Sequence, residues 1–221
     1  SLFALYDNNR GIATIGTDSV ARLRDRTTIG ALFQGKAGPL VLEVDGAWQG
    51  GTHLIRPDGT PPGIAGVSQD LSAYFASAKL TVPIGDASVG ALYTLLSGDD
   101  TATADASETF NTLFATNHKF YGYMDYFPVL SGRLGLQDVA LMAAMKFSST
   151  TSANVTGHYF MPHKGDDPFG IEVDAIVKHR YNDVLGFVFG ASVFLPDDSI
   201  IGLFDEGENG YWGFVMVTVS L

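Results

Sequence analysis

Apolar and polar residues alternate with period two along most of this chain, most cleanly at its C-terminal end. Leu221, Val219, Val217, Val215, Gly213 and Tyr211 form one set, and Ser220, Thr218, Met216, Phe214 and Trp212 the other. Successive side chains of an extended backbone point to opposite faces, so this pattern predicts a strand with one apolar face. Ten segments follow the same rule: 2–6, 27–36, 40–49, 71–83, 87–98, 136–147, 153–161, 170–181, 185–195 and 211–221. Their connections alternate in length. Tight ones at 37–39, 85–86, 148–152 and 182–183 interleave with long ones at 7–26, 50–70, 99–135, 162–169 and 196–210.

That rhythm puts every long loop at one end of an antiparallel meander. Outer-membrane barrels have this asymmetry, with apolar residues turned to lipid and polar ones to the interior. Leu40, Leu42, Val44, Gly46 and Trp48 share a face, opposite Glu43, Asp45, Ala47 and Gln49. Ile171, Val173, Ala175 and Val177 likewise oppose Glu172, Asp174, Lys178 and Arg180. A soluble barrel or sandwich would invert this arrangement, burying the apolar set. Against that inversion, the polar faces carry rows of mixed charge, and the apolar faces end in Trp48, Tyr159, Tyr181 and Tyr211, like an interfacial belt. The expectation is an all-β, transmembrane antiparallel up-and-down barrel of about ten strands, one domain over 1–221, in a bacterial outer membrane.

Composition narrows the function. Hydrophobic residues make up 46% and mean hydropathy is +0.14, yet no run approaches the ~18 apolar residues of a membrane helix. The 26 glycines and 12% aromatics suit short strands, tight turns and aromatic girdles. Cysteine is absent, so no disulfide framework or thiolate metal site is expected. A net charge of −11 argues against nucleic acid as a partner. The chain opens on strand-like sequence, so the expectation is that a leader was removed or that a longer chain precedes it.

Several motifs stand in a fixed order: Trp48-Gln49-Gly50, Ser97-Gly98-Asp99, the loop stretch from Thr116 to Asp125 (Thr-Asn-His-Lys-Phe-Tyr-Gly-Tyr-Met-Asp), Gly135-Leu136-Gln137-Asp138 and Gly170-Ile-Glu-Val-Asp174. On these the chain resembles the bacterial alginate-export family of outer-membrane barrels. The resemblance implies passive movement of an anionic polysaccharide or smaller solutes through a charged lumen. Family members form wider barrels of roughly eighteen strands. The chain therefore corresponds to their C-terminal part, or to a shortened barrel that closes on ten.

The inward positions predicted to line a pore are Glu43, Asp45, Lys79, Asp138, Lys146, His158, Glu172, Asp174, Lys178 and Arg180. With 13 basic against 24 acidic residues, such a lumen has mixed sign. In the long loop, His118, Lys119, Tyr121 and Asp125 form the candidate motif, and His118 is expected to bond loop backbone and hold the loop in or over the pore. Phe120, Tyr121, Tyr123 and Phe127 are too apolar to stay exposed and should pack toward the interior. Segments 18–25 and 105–115 are candidates for a short helix or an inward fold. His158 is expected to hydrogen bond within the lumen, and His179 to sit near the interface. His53 and His163 lie in loops without paired ligands.

The acidic loop residues Asp99, Asp100, Asp166, Asp167, Asp197, Asp198, Asp205, Glu206 and Glu208 could hold Ca2+ that bridges to lipopolysaccharide. Apart from this, no cofactor is expected. No nucleophile elbow, P-loop or zinc-protease motif occurs, which points away from an enzyme. The alternative to a channel is a structural or anchoring barrel with partner chains in an envelope assembly.

Overall fold

A computed structural model describes residues 1–9, 12–15, 18–21, 24–55, 67–99, 102–103, 106–113, 117–118, 120–200 and 208–220. In chain order the strands are β1 (Leu2–Asn9), β2 (Ile12–Ile15), β3 (Asp18–Ala21), β4 (Arg24–Ala37), β5 (Leu40–Ile55), β6 (Val67–Ile84), β7 (Ala87–Leu96), β8 (Ala106–Ser107), β9 (Leu136–Lys146), β10 (Thr151–Met161), β11 (Gly170–Arg180), β12 (Leu185–Pro196) and β13 (Gly210–Val219). A 3-10 turn at Gly132–Leu134 is the one helical element among the described residues.

The fold is all-β. One eleven-stranded sheet runs β1-β4-β5-β6-β7-β9-β10-β11-β12-β13, with β8 pairing β6 in parallel. Every pair along that path is antiparallel. Tight turns at Gly38–Pro39 and Gly85–Asp86 explain why neighbours in sequence are neighbours in the sheet. The ten alternating segments correspond to the ten strands of the path. β4, β5 and β6 run further toward the loop end than alternation suggested. There, Gly50 and Gly51 break the apolar–polar rhythm without breaking the pairing with Thr27 and Arg26.

Two expectations change. Residues 18–25 hold no helix among the described positions: Asp18–Ala21 is a strand paired with Ile12–Ile15. The alternating Ser-Val-Ala run there suits an extended hairpin as well as a helix turn. The sheet is also open, with β1 and β13 at its edges. Of the two expected arrangements, part of a wider barrel or a barrel closing on ten strands, closure on these ten is not seen. An edge strand presents backbone donors and acceptors with which another strand can pair.

The two faces of the sheet differ sharply. The face on which the 99–135 loop packs is here termed inner. On the outer face Val139, Leu141, Ile171, Val173, Val177, Phe189, Val215 and Val217 are all exposed. The inner face holds the core: Leu96, Tyr121, Phe127, Leu136, Phe160, Phe169, Phe194 and Ile200.

Candidate functional site

The site is built where the 99–135 loop meets the inner wall. Its two ends touch. Asp99 N–H donates to Arg133 O at 2.6 Å, and a Cβ on Gly98 would overlap the Leu134 carbonyl. Gly135, at φ +70°, leaves equally little room against Leu96 and Gly98. The Ser97-Gly98-Asp99 and Gly135-Leu136 motifs are thus the two sides of one backbone crossing.

Side chains then fix the loop to the wall. Buried Gln49 donates from Nε2 to Asn111 O at 2.7 Å and accepts from Asn111 N–H at 3.0 Å. Ser97 Oγ donates to Glu108 O at 2.7 Å and accepts from Tyr74 N–H. His163 Nδ1 accepts from Gly98 N–H at 3.0 Å, and its Nε2 lies 3.1 Å from the Tyr74 hydroxyl. A ring nitrogen that accepts an amide proton is unprotonated. Burial, then the neighbouring Lys164 charge, pushes the His163 pKa below its ordinary value.

Further along, aromatic rings fill the loop end of the inner face. The Phe127 ring centroid lies 4.3 Å from Phe160, 5.3 Å from Phe169 and 6.0 Å from Phe194. Burying several aromatic side chains supplies a few kcal/mol each, more than the polar contacts around them. Of the four aromatics expected to pack inward, Phe127 and Tyr121 are buried and Tyr123 is half-buried, while Phe120 remains 55% exposed. Burial raises the Tyr121 pKa, so the phenol stays protonated.

Beneath these rings lies a cluster of ionisable groups. Asp138, Glu172 and Asp174 have no exposed surface and His158 only 4%. His158 Nδ1 sits 2.9 Å from Asp138 Oδ2, and its Nε2 3.6 Å from Asp174 Oδ2. The register explains the gathering, since His158 pairs with Ala140 on β9 and with Glu172 on β11. The loop supplies the missing donors: Met124 N–H to Glu172 Oε1 at 3.0 Å and Tyr123 N–H to Asp174 Oδ2 at 3.3 Å. Backbone N–H groups suit carboxyl oxygens, which have lone pairs free to accept. Gly122 allows this approach, since its φ is +85° and a Cβ would lie 2.5 Å from the Glu172 carboxyl. Glu172 Oε2, Asp174 Oδ1 and Ser192 Oγ remain buried without a partner.

The loop motif closes on itself. His118 Nδ1 lies 2.8 Å from Asp125 Oδ2, a side-chain partner rather than loop backbone, and its ring meets Tyr123 and Trp212 edge-on at 4.9 and 5.7 Å. Lys119 lies outside the described residues, as do the side chain of His53 and residues Asp100, Asp205 and Glu206.

The other predicted wall residues lie on the same inner face, toward the tight turns. Glu43 and Lys79 approach to 3.4 Å. With Asp45 and the loop's Phe120 and Tyr121 they line a cavity of about 370 Å³. Lys146, Lys178 and Arg180 gather at the turn end and are exposed. His179 points to the outer side and meets Thr151 Oγ1 at 2.9 Å. Among the described residues no group of three His, Asp or Glu side chains is arranged to hold a metal ion.

The ten wall positions therefore separate into a buried acidic group at the loop end, a mixed group in the middle and a basic group at the turn end. Sequence reasoning missed Gln49, Ser97 and His163 as loop anchors. Their only signal was Gln49 and Ser97 falling inside the ordered motifs. Comparison with protein-family models and with curated protein sequences finds no match for the chain.

Proposed function

We propose that this chain forms the wall of an outer-membrane β-barrel through which small solutes or an anionic saccharide pass by diffusion. The inserted 99–135 loop sets the constriction. The observation that carries this reading is the contrast of faces: a bare apolar outer face behind a wall of charged and hydrogen-bonding residues. Leu141 is 68% exposed and Val215 64%, while Asp138 and Glu172 are fully covered on the opposite side. A water-facing sheet would hold these in the reverse sense, because apolar surface of this extent is driven out of water. Strands β7 and β9 to β13 are 10–12 residues long, close to the ~9–11 that a tilted strand needs to cross the hydrocarbon layer. The short–long connection rhythm and the resemblance to the alginate-export family support the same reading. The open edges β1 and β13 complete the wall by pairing with each other or with further strands.

The test is reconstitution of the full chain in a planar bilayer. Discrete ion conductance is expected, and replacing residues 106–125 of the loop with a short Gly/Ser linker should raise it. One observation favours the structural alternative, namely that the loop covers the loop end of the inner face. A reconstituted chain that passes no ions with or without the loop would make that anchoring reading the better one.

A further inference from the structure

We propose that the turn end of the inner face is an anion site, formed by Lys146, Lys178 and Arg180, that takes a phosphate group. The location on a solute path rests on the channel reading; the binding itself does not. Ser152 is registered opposite Lys146 on one side and Lys178 on the other, so the three form one row across β9, β10 and β11. Arg180 follows two residues along β11 on the same face. These side chains, with the hydroxyls of Ser148 and Thr150, line a cavity of about 300 Å³.

No carboxylate lines this cavity. Among the described residues, Lys79 has its Glu43, whereas none of the three cations here forms an ion pair. In a chain with 24 acidic and 13 basic residues, three uncompensated cations in one recess stand out. Their mutual repulsion is relieved by a bound anion. The donor set specifies which anion. A guanidinium fork, two ammonium groups and a row of hydroxyls together match a tetrahedral, doubly charged group, whose oxygens accept from several directions. A carboxylate has two oxygens and one charge and leaves part of this set unmet. Lys146, Lys178 and Arg180 occupy inner-face positions of their strands, which favours the phosphate of a soluble molecule. His179 and Phe187 of the outer side also border the recess, so competition by lipid vesicles is the outcome that separates a headgroup from it.

The experiment is a titration of the detergent-purified full chain with inorganic phosphate at constant ionic strength, read by calorimetry. Saturable binding is expected, with roughly tenfold or greater weakening in K146Q/K178Q/R180Q. Lys36→Gln should bind as the parent does, and K146R/K178R should keep most of the affinity, which separates loss of charge from misfolding. Glycerol phosphate should compete with inorganic phosphate. Binding unchanged in the triple variant, equal displacement by chloride or acetate, or competition by phosphatidylglycerol vesicles alone would each overturn the proposal. A chain that binds phosphate but conducts no ions removes the channel reading and keeps this site. A conducting chain without phosphate binding removes the site alone.

Discussion

At the loop end of the inner face Phe127, Phe160 and Phe194 are almost fully covered, whereas Lys146, Lys178 and Arg180 at the turn end stand open. One strand, β11, carries both conditions, with Glu172 and Asp174 near its start and Lys178 and Arg180 at its close. The difference follows from what an inserted loop can offer. At this point the loop turns two of its backbone N–H donors, those of Tyr123 and Met124, toward the sheet. Such donors suit carboxyl groups rather than ammonium groups. Acids can therefore be buried under Tyr123 and Met124, while the basic end stays wet. Alternation places both sets on one face, and the loop decides which of them is sealed.

The comparison can be broken most forcefully across the sheet. Ala175→Lys puts a charge on the outer face at mid-strand and should cost ~2–4 kcal/mol in liposome unfolding titrations. Asn154→Lys, on the inner face of the adjacent strand, should stay within about 1 kcal/mol. Equal costs for the two variants would remove the distinction between faces.

Within the inner face, Gly122→Ala should undock the loop. It forces a side chain into positive φ and against Glu172, at about 1–3 kcal/mol. Amide exchange at Tyr123 and Met124 should accelerate while the strands stay protected. Protection unchanged at those two amides would show that Gly122 is not the point of closest approach.

Gln49→Ala is a smaller perturbation. It removes two hydrogen bonds to Asn111, a residue near solvent that water can re-satisfy, so about 0.5–1.5 kcal/mol is expected. Limited proteolysis near Asn111 should report it, with faster cutting than in the parent.

The gentlest prediction is a pH effect. The folded state keeps His163 neutral with a lowered pKa, so an unfolded chain binds the proton first as pH falls. The contribution of His163 is complete above about 6.5 and is lost as pH drops below that value toward the lowered folded pKa. Amide protection at Gly98 should decline over that window, and His163→Gln should flatten the profile. A Gly98 profile indifferent to pH in both proteins would show that this contact does not titrate.

Much of the wall was legible because side-chain period and strand spacing are local properties. Leu40 through Gln49 announce a two-faced strand without reference to any other segment, and Gly85–Asp86 announces its turn. The inward drift of Phe127 and Tyr121 followed from hydrophobicity in a connection too long to stay bare. What escaped was partner choice. Nothing in the spacing of Gln49 and Asn111, 62 residues apart, encodes their paired hydrogen bonds. His118 was expected to bond loop backbone, but Asp125 lies seven residues on and its carboxylate accepts more strongly. The separation of charge along the wall was also hidden, because alternation fixes the face of Glu172 and Lys178 but not what covers each of them.

The most direct test of the account uses the absence of native cysteine. Single-cysteine variants at each position from Ile171 to Lys178 can be spin-labelled in the reconstituted full chain and probed with oxygen, which partitions into lipid, and with a water-soluble nickel chelate. Labels at Ile171, Val173, Ala175 and Val177 should be accessible to oxygen and shielded from nickel. Labels at Glu172, Asp174 and Ile176 should be shielded from both beneath the loop, and Lys178 should be open to nickel. Oxygen and nickel accessibility without this period of two, or nickel reaching the 171–177 set, would contradict a lipid-facing outer surface.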